Sequence, residues 1–273
     1  MSIRTASERS GIMKGDTFTL RPGRVMKKRS GLIYGQFIEH FHRQIYGGVF
    51  DPGSPFADED GFRTDVLEAL RRIRVPILRW PGGCFVSSYH WKKAVGPERT
   101  PVFDKSWRVE APNLFGTDEY IALCRRIGCE PYICTNAGTG TPEEMSDWVE
   151  YCNLKDQGEY ARLRTKNGHS EPYGVRYWSI GNENYGSWEL GAKGVGEWGR
   201  LVLESAKLMR HVDPAWRKRS ASPMTNGTCG DGIILTCTPS ARDARRRNTL
   251  SPGTKTTSTA ITPWRTPCSP PAS

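Results

Sequence analysis

The chain has 273 residues and a formal net charge of +10, with 37% hydrophobic and 10% aromatic residues, proportions that suit a soluble globular protein. No run approaches the ~18 apolar residues of a membrane helix, and the first ten residues carry no apolar stretch behind their charges, so the expectation is a cytoplasmic protein without a membrane partner. Nine Lys and Arg against two Asp lie beyond residue 214 and supply +7 of the net charge, which leaves residues 1–214 nearly balanced and argues against nucleic acid as a partner.

Residues 1–30 read as an N-terminal extension. From residue 31 to 214 short apolar runs alternate with amphipathic stretches, the pattern of repeated βα units around a mainly parallel sheet. A first strand is expected over 33–39, then a loop rich in Gly, Pro and Asp, then a helix over 62–73 with Val66, Leu67, Leu70 and Ile73 on one face. A second strand over 75–80 leads through a long connection, 81–115, to a helix over 117–127. There Thr117 is the expected cap, and Asp118 and Glu119 suit the positive helix end. A third strand covers 131–136. Thr141 as cap, Pro142 at the first helical position and Glu143 and Glu144 in the first turn then predict a helix to about residue 152. The fourth strand, 175–180, runs into Gly181, Asn182 and Glu183. A helix over 196–211 follows, with Leu201, Val202, Ala206 and Met209 inward, and Asp213 and Pro214 stop it.

Beyond residue 214 the pattern changes. Of the 59 residues from 215 to 273, 25 are Ser, Thr or Pro, Glu is absent, and only Ile233, Ile234 and Leu235 resemble a strand. Such a composition buries too little apolar surface to offset chain entropy, so this tail is expected to be disordered. Its abrupt onset fits a shifted reading frame or a misassigned exon.

In parallel βα architectures chemistry gathers where the strands end, because the following loops converge there over a rigid base. Those ends carry Glu39, His40 and His42; Arg79 through Cys84; Asn136; and Asn182 with Glu183. A carboxyl directly after an apolar run is costly to bury without partners or a task. Glu183 is in that position, and a carboxylic acid against apolar walls keeps its proton, as general acid catalysis requires. The structural alternative is a loop cap or an ion pair with Arg79. Glu39 reads equally as a salt-bridge partner of Arg79 or Arg43 and as a substrate-binding residue. Trp80, Tyr89, Trp91, Trp107, Tyr177, Trp178 and Trp188 interleave with these positions, and such rings either stack on sugars or fill the core.

No metal or other cofactor is expected. His40 and His42 alternate along a strand end and would not face one ion, and Cys124, Cys129 and Cys134, five apart, match no zinc spacing. The eight cysteines are expected as reduced thiols. Residues 138–141 lack the Lys of a phosphate loop.

Five ordered segments carry a resemblance: Tyr-Gly-Gln-Phe-Ile-Glu-His at 34–40, Leu-Arg-Trp-Pro-Gly-Gly-Cys-Phe-Val at 78–86, Phe-Gly-Thr-Asp-Glu at 115–119, Asn-Ala-Gly-Thr-Gly-Thr-Pro-Glu-Glu at 136–144 and Ile-Gly-Asn-Glu at 180–183. Lys-Asn-Gly-His at 166–169 and Glu-Pro-Tyr at 171–173 extend it. Together they resemble the α-L-arabinofuranosidases of glycoside hydrolase family 51 over roughly residues 30–214. The resemblance implies a (β/α)8 TIM barrel beside a β-sandwich, so residues 31–214 would be the first half of the barrel, its first four βα units. It implies a retaining hydrolase releasing terminal arabinofuranose from arabinosides, with arabinofuranose-containing oligosaccharides or polysaccharides as partners and homo-oligomers among full-length relatives. Carried over, it makes Glu183 the acid/base and places Glu39, Cys84 and Asn182 on the sugar. Cys84 stands where Asn is also common in the family.

A retaining mechanism needs a second carboxylate about 5 Å from the first. The resemblance places it on the seventh barrel strand, and the tail's only acids, Asp231 and Asp243, have no such context. The chain alone is therefore expected to be inactive and marginally folded. Two further readings are another retaining barrel glycosidase acting on xylan or glucan, and a non-catalytic carbohydrate-binding protein.

Overall fold

The computed structural model describes residues 30–214 together with the strand Ile233–Ile234. The disorder expected for the tail concerns residues outside the described ones, that strand excepted. Its backbone pairs in parallel with the strand before it, Trp178 opposite Ile233 and Ser179 opposite Ile234.

Strand β1, Gln36–Phe37, is followed by helix α1, Thr64–Arg72, and strand β2, Ile77–Trp80. The connection after β2 holds an antiparallel hairpin of β3, Val102–Asp104, and β4, Val109–Ala111. Then come α2, Thr117–Ile127, β5, Glu130–Thr135, α3, Pro142–Asn153, α4, Glu159–Lys166, β6, Tyr177–Ile180, α5, Val195–Val212, and β7, Ile233–Ile234. The main sheet runs β1-β2-β5-β6-β7, all parallel and in chain order, as in successive units of a (β/α)8 barrel. Among the described residues no helix is long and apolar enough to cross a membrane.

The structure corrects several details of the sequence reading. The expected strand over 33–39 is only two residues long, because the run opens as a 3-10 turn, Gly31–Tyr34, whose Leu32 N–H is capped by Ser30 Oγ at 3.3 Å. Ile73 caps the end of α1 and is 64% exposed, so of the predicted face Leu67 is buried while Val66 and Leu70 only pack against the core. Gly116, not Thr117, caps α2. Glu119 Oε2 accepts from the Gly116 N–H at 2.8 Å, while the Thr117 hydroxyl is buried and accepts from Trp148 Nε1 at 2.9 Å. The cap of α3 is as predicted, with Thr141 Oγ1 accepting from Glu144 N at 3.1 Å. Helix α4 was not foreseen, because its sequence, Glu-Tyr-Ala-Arg-Leu-Arg-Thr-Lys, shows no apolar stripe and buries only Ala161 and Arg164.

The core is aromatic. Trp80 stacks on Tyr120 at 4.8 Å between centroids and Trp91 on Trp148 at 5.9 Å, while Trp148 meets Trp178 edge-on. The indole N–H groups of Trp80, Trp91, Trp148 and Trp178 donate to His40 Nε2, the Glu144 carbonyl, Thr117 Oγ1 and the Val175 carbonyl in turn. Trp80, Tyr89, Trp91 and Trp178 thus belong to the core rather than to a sugar-facing surface.

Candidate active site

The loops after β1, β2 and β6 meet through side chains far apart in sequence. Glu39, two residues beyond β1, is 5% exposed, and its Oε1 accepts from the Phe85 N–H at 3.0 Å and from Trp107 Nε1 at 3.1 Å. Burial pushes its carboxyl up, and those donors with the nearby Arg79 charge partly offset that. Neither expected hydrogen-bonded arginine pair forms, since Arg43 donates to the Gly47 carbonyl and Arg79 to Asn182 Oδ1 at 2.9 Å and Cys134 Sγ at 3.2 Å. The backbone of Gly82 and Gly83 lies directly against Glu39. A Cβ at Gly82, where φ is 122°, would fall 2.3 Å from Glu39 Cβ, and one at Gly83 would fall 2.8 Å from Oε2.

Cys84 opens the 3-10 turn Cys84–Ser88 and is buried. Asn182 and Glu183 follow β6 in a tightly wound loop. Gly181 has φ 69° and no room for a Cβ, which would sit 2.1 Å from Asn184 Oδ1. Asn184 Oδ1 accepts from the Asn182 N–H at 3.1 Å. Glu183 itself has φ 48°, a left-handed conformation that costs a non-glycine residue roughly 1–3 kcal/mol and is concentrated at functional sites. The alternative ion pair with Arg79 gives way to the contact of Arg79 with Asn182. All four expected site residues therefore lie on these converging loops. Asn136 does not join them, because its amide is committed to the Tyr89 carbonyl, Thr139 Oγ1 and the N–H groups of Gly138 and Thr139.

One carboxylate beside these residues escaped the sequence reading. Glu189, six residues beyond Glu183, is 4% exposed and accepts from Ser87 Oγ and, at 3.4 Å, from Asn182 Nδ2. Cys84 Sγ and one carboxylate oxygen each from Glu183 and Glu189 lie within 4.8 Å of one another. Three such donors could approach a metal ion, and the Glu189 carboxylate among them already accepts hydrogen bonds from Ser87 and Asn182. Tyr185 and Trp188, 46% and 38% exposed, stand edge to face at 6.0 Å on the same loop.

His40 is no ligand. Its ring lies among Tyr46, Trp80, Phe85, Tyr89 and Phe115, Nε2 accepts from Trp80 Nε1 at 3.1 Å, and burial pushes its pKa down to about 3. His42 is exposed, so the two rings diverge. None of the five described cysteines, Cys84, Cys124, Cys129, Cys134 and Cys152, is in a disulfide.

Residues 69–193 match the family model described as an α-L-arabinofuranosidase 1 domain. The chain is 45% identical over 199 residues to α-L-arabinofuranosidase C of Emericella nidulans, a match covering 72% of this chain and 40% of that protein. It is 41% identical over 185 residues to the intracellular exo-α-(1→5)-L-arabinofuranosidase 1 of Bacillus subtilis, covering 67% of this chain and 37% of that one. Among solved structures, the arabinose complex of the α-L-arabinofuranosidase from Thermotoga maritima has a TM-score of 0.69 at 54% identity, covering 71% of this chain and 40% of that chain. The chain thus spans about 40% of the length of the relatives it matches.

Proposed function

Since the chain belongs to the α-L-arabinofuranosidases of glycoside hydrolase family 51, we propose that its site receives a terminal, non-reducing α-L-arabinofuranosyl residue and protonates the departing glycosidic oxygen through Glu183. The observation that carries this is the convergence of Cys84, after β2, with Glu183, after β6, within 4.8 Å. Glu39, Cys84 and Asn182 hold the sugar hydroxyls, and Glu183 acts first as acid and then as base in a retaining hydrolysis.

A retaining reaction also needs a carboxylate that attacks the anomeric carbon. Glu39 has an oxygen occupied by two N–H donors, and Glu189 is held by the Ser87, Asn182 and Cys84 side chains, so both carboxylates are already engaged by protein. The described residues supply the acid/base and the sugar cradle. For this chain alone, that favours binding over turnover, which is also the specific support for the second reading, a non-catalytic carbohydrate-binding protein. A cytoplasmic location goes with this reading, supported by the Bacillus subtilis relative, which is named as intracellular.

Calorimetric titration with α-1,5-L-arabinobiose, beside xylobiose and cellobiose, tests the proposal. Saturable heat with arabinobiose alone, abolished by Asn182→Ala, is expected. Equal heat with xylobiose, or none from a chain with native near-UV circular dichroism, overturns the arabinose reading. Release of p-nitrophenol from p-nitrophenyl α-L-arabinofuranoside is expected to stay at background, and release lost in Glu183→Gln would refute the claim that this chain lacks turnover.

A further inference from the structure

The buried carboxylate of Glu189 needs an explanation of its own. One of its oxygens lies within 4.8 Å of one from Glu183, and both of its oxygens are engaged by protein donors. Those donors are informative. Ser87 Oγ donates to Oε1, Asn182 Nδ2 donates to Oε2 at 3.4 Å, and the Cys84 thiol is hydrogen-bonded to the same carboxyl. An ionised carboxylate accepts only, and three donors converge on it; a glutamine there would turn an NH2 group toward at least one of them.

The second half of the arrangement is Arg79. Its Nη2 donates to Asn182 Oδ1 at 2.9 Å, so the two ends of one amide are held by an obligatory donor and an obligatory acceptor. That leaves a single orientation for the Asn182 side chain. Glu183, Cys84 and, through Asn182, Arg79 are the titratable and charged groups around Glu189. Burial pushes its carboxyl up, the bonds from Ser87, Cys84 and Asn182 pull it down, and the Glu183 charge adds a smaller upward push.

We infer that Glu189 is a positioning residue of the sugar site, an acceptor-only clamp that with Arg79 fixes the Asn182 amide and sets the Cys84 thiol for the arabinofuranosyl ring. The inference rests on the functional reading above for the identity of the sugar, and on the geometry alone for the clamp.

Two measurements separate them. In sugar-free chain labelled with 15N-asparagine, the Asn182 side-chain NH2 signal, assigned by its loss in Asn182→Ala, is expected to shift with pH as Glu189 titrates, with a midpoint above the usual glutamate value. The same signal in Glu189→Gln is expected to show no such step. A signal indifferent to pH in the unmodified chain overturns the clamp. In calorimetry, Glu189→Gln is expected to weaken arabinobiose binding about tenfold, as loss of one well-placed hydrogen bond does, with Glu189→Asp falling between. Unchanged affinity in Glu189→Gln also overturns the inference. A pH-dependent Asn182 signal in a chain that binds no arabinobiose upholds the clamp and overturns the sugar assignment instead.

Discussion

Arg164 offers the sharpest test of how this domain is held together. It is fully buried in α4, and its guanidinium donates to five backbone carbonyls: Tyr151 at 2.7 Å, Leu154 at 2.6 Å, Lys155 at 2.8 Å, His169 at 3.0 Å and Ser170 at 3.3 Å. The Tyr151 and Leu154 carbonyls close the C-terminal end of α3, where a positive charge is favoured. Hydrogen bonds from a charged donor contribute about 1.5–3 kcal/mol each, so five would sum to about 10, but burying the guanidinium costs several kcal/mol in return. Arg164→Met, similar in length and apolar, recovers that desolvation cost and strands five carbonyls. The expected net loss is about 3–5 kcal/mol, a large part of the 5–15 kcal/mol typical of a domain. Urea denaturation followed by far-UV circular dichroism at pH 7 measures it. Arg164→Lys, with three donors on one nitrogen, is expected to lose at least half as much. A loss below about 1 kcal/mol in Arg164→Met at unchanged m-value would refute the reasoning, because the carbonyls would then have found water or other donors.

Three other perturbations follow from the same geometry. His40 is buried neutral with a pKa of about 3, below its value in the unfolded chain, so its contribution is intact above pH 6.5 and is lost as pH falls toward 3. Between pH 6.5 and 5 that amounts to about 2 kcal/mol, and the fall in urea midpoint over this range should shrink in His40→Phe; an equal fall in both chains would contradict the burial argument. Gly181→Ala forces a Cβ to within 2.1 Å of Asn184 Oδ1 at φ 69°, so it should displace the loop that holds Asn182 and Glu183 and weaken arabinobiose binding at least ~10-fold, with unchanged affinity as the refuting result. Trp148→Phe deletes the N–H bonded to Thr117 and part of the stack on Trp91, and thermal or urea unfolding should show a loss of roughly 2–3 kcal/mol.

Periodicity and capping made the βα repeat legible, because each unit buries its own apolar face and starts its helix with local chemistry such as Thr141, Pro142 and Glu144. What stayed hidden depends on contacts between units. Gly116 rather than Thr117 caps α2, and the Trp148 indole, from the next unit, takes the Thr117 hydroxyl instead. Helix α4 has no stripe to read because its anchor is a charged side chain that finds its acceptors in α3 and the following loop. Glu39, Cys84, Asn182 and Glu183 are recognisable in the sequence as residues at strand ends, but nothing local says that Arg79 would choose Asn182 rather than a carboxylate. Glu189 left a faint signal, a carboxyl between Trp188 and Leu190 six residues past Glu183, and the same stretch reads equally well as surface loop. Only the approach of the β2 loop, which brings Ser87 and Cys84 onto that carboxyl, turns it into part of the site. A single carboxylate at a strand end is thus a weak predictor of chemistry, whereas one whose donors come from two other loops is already committed to a fixed geometry, and the Asn182 amide is where that commitment can be measured.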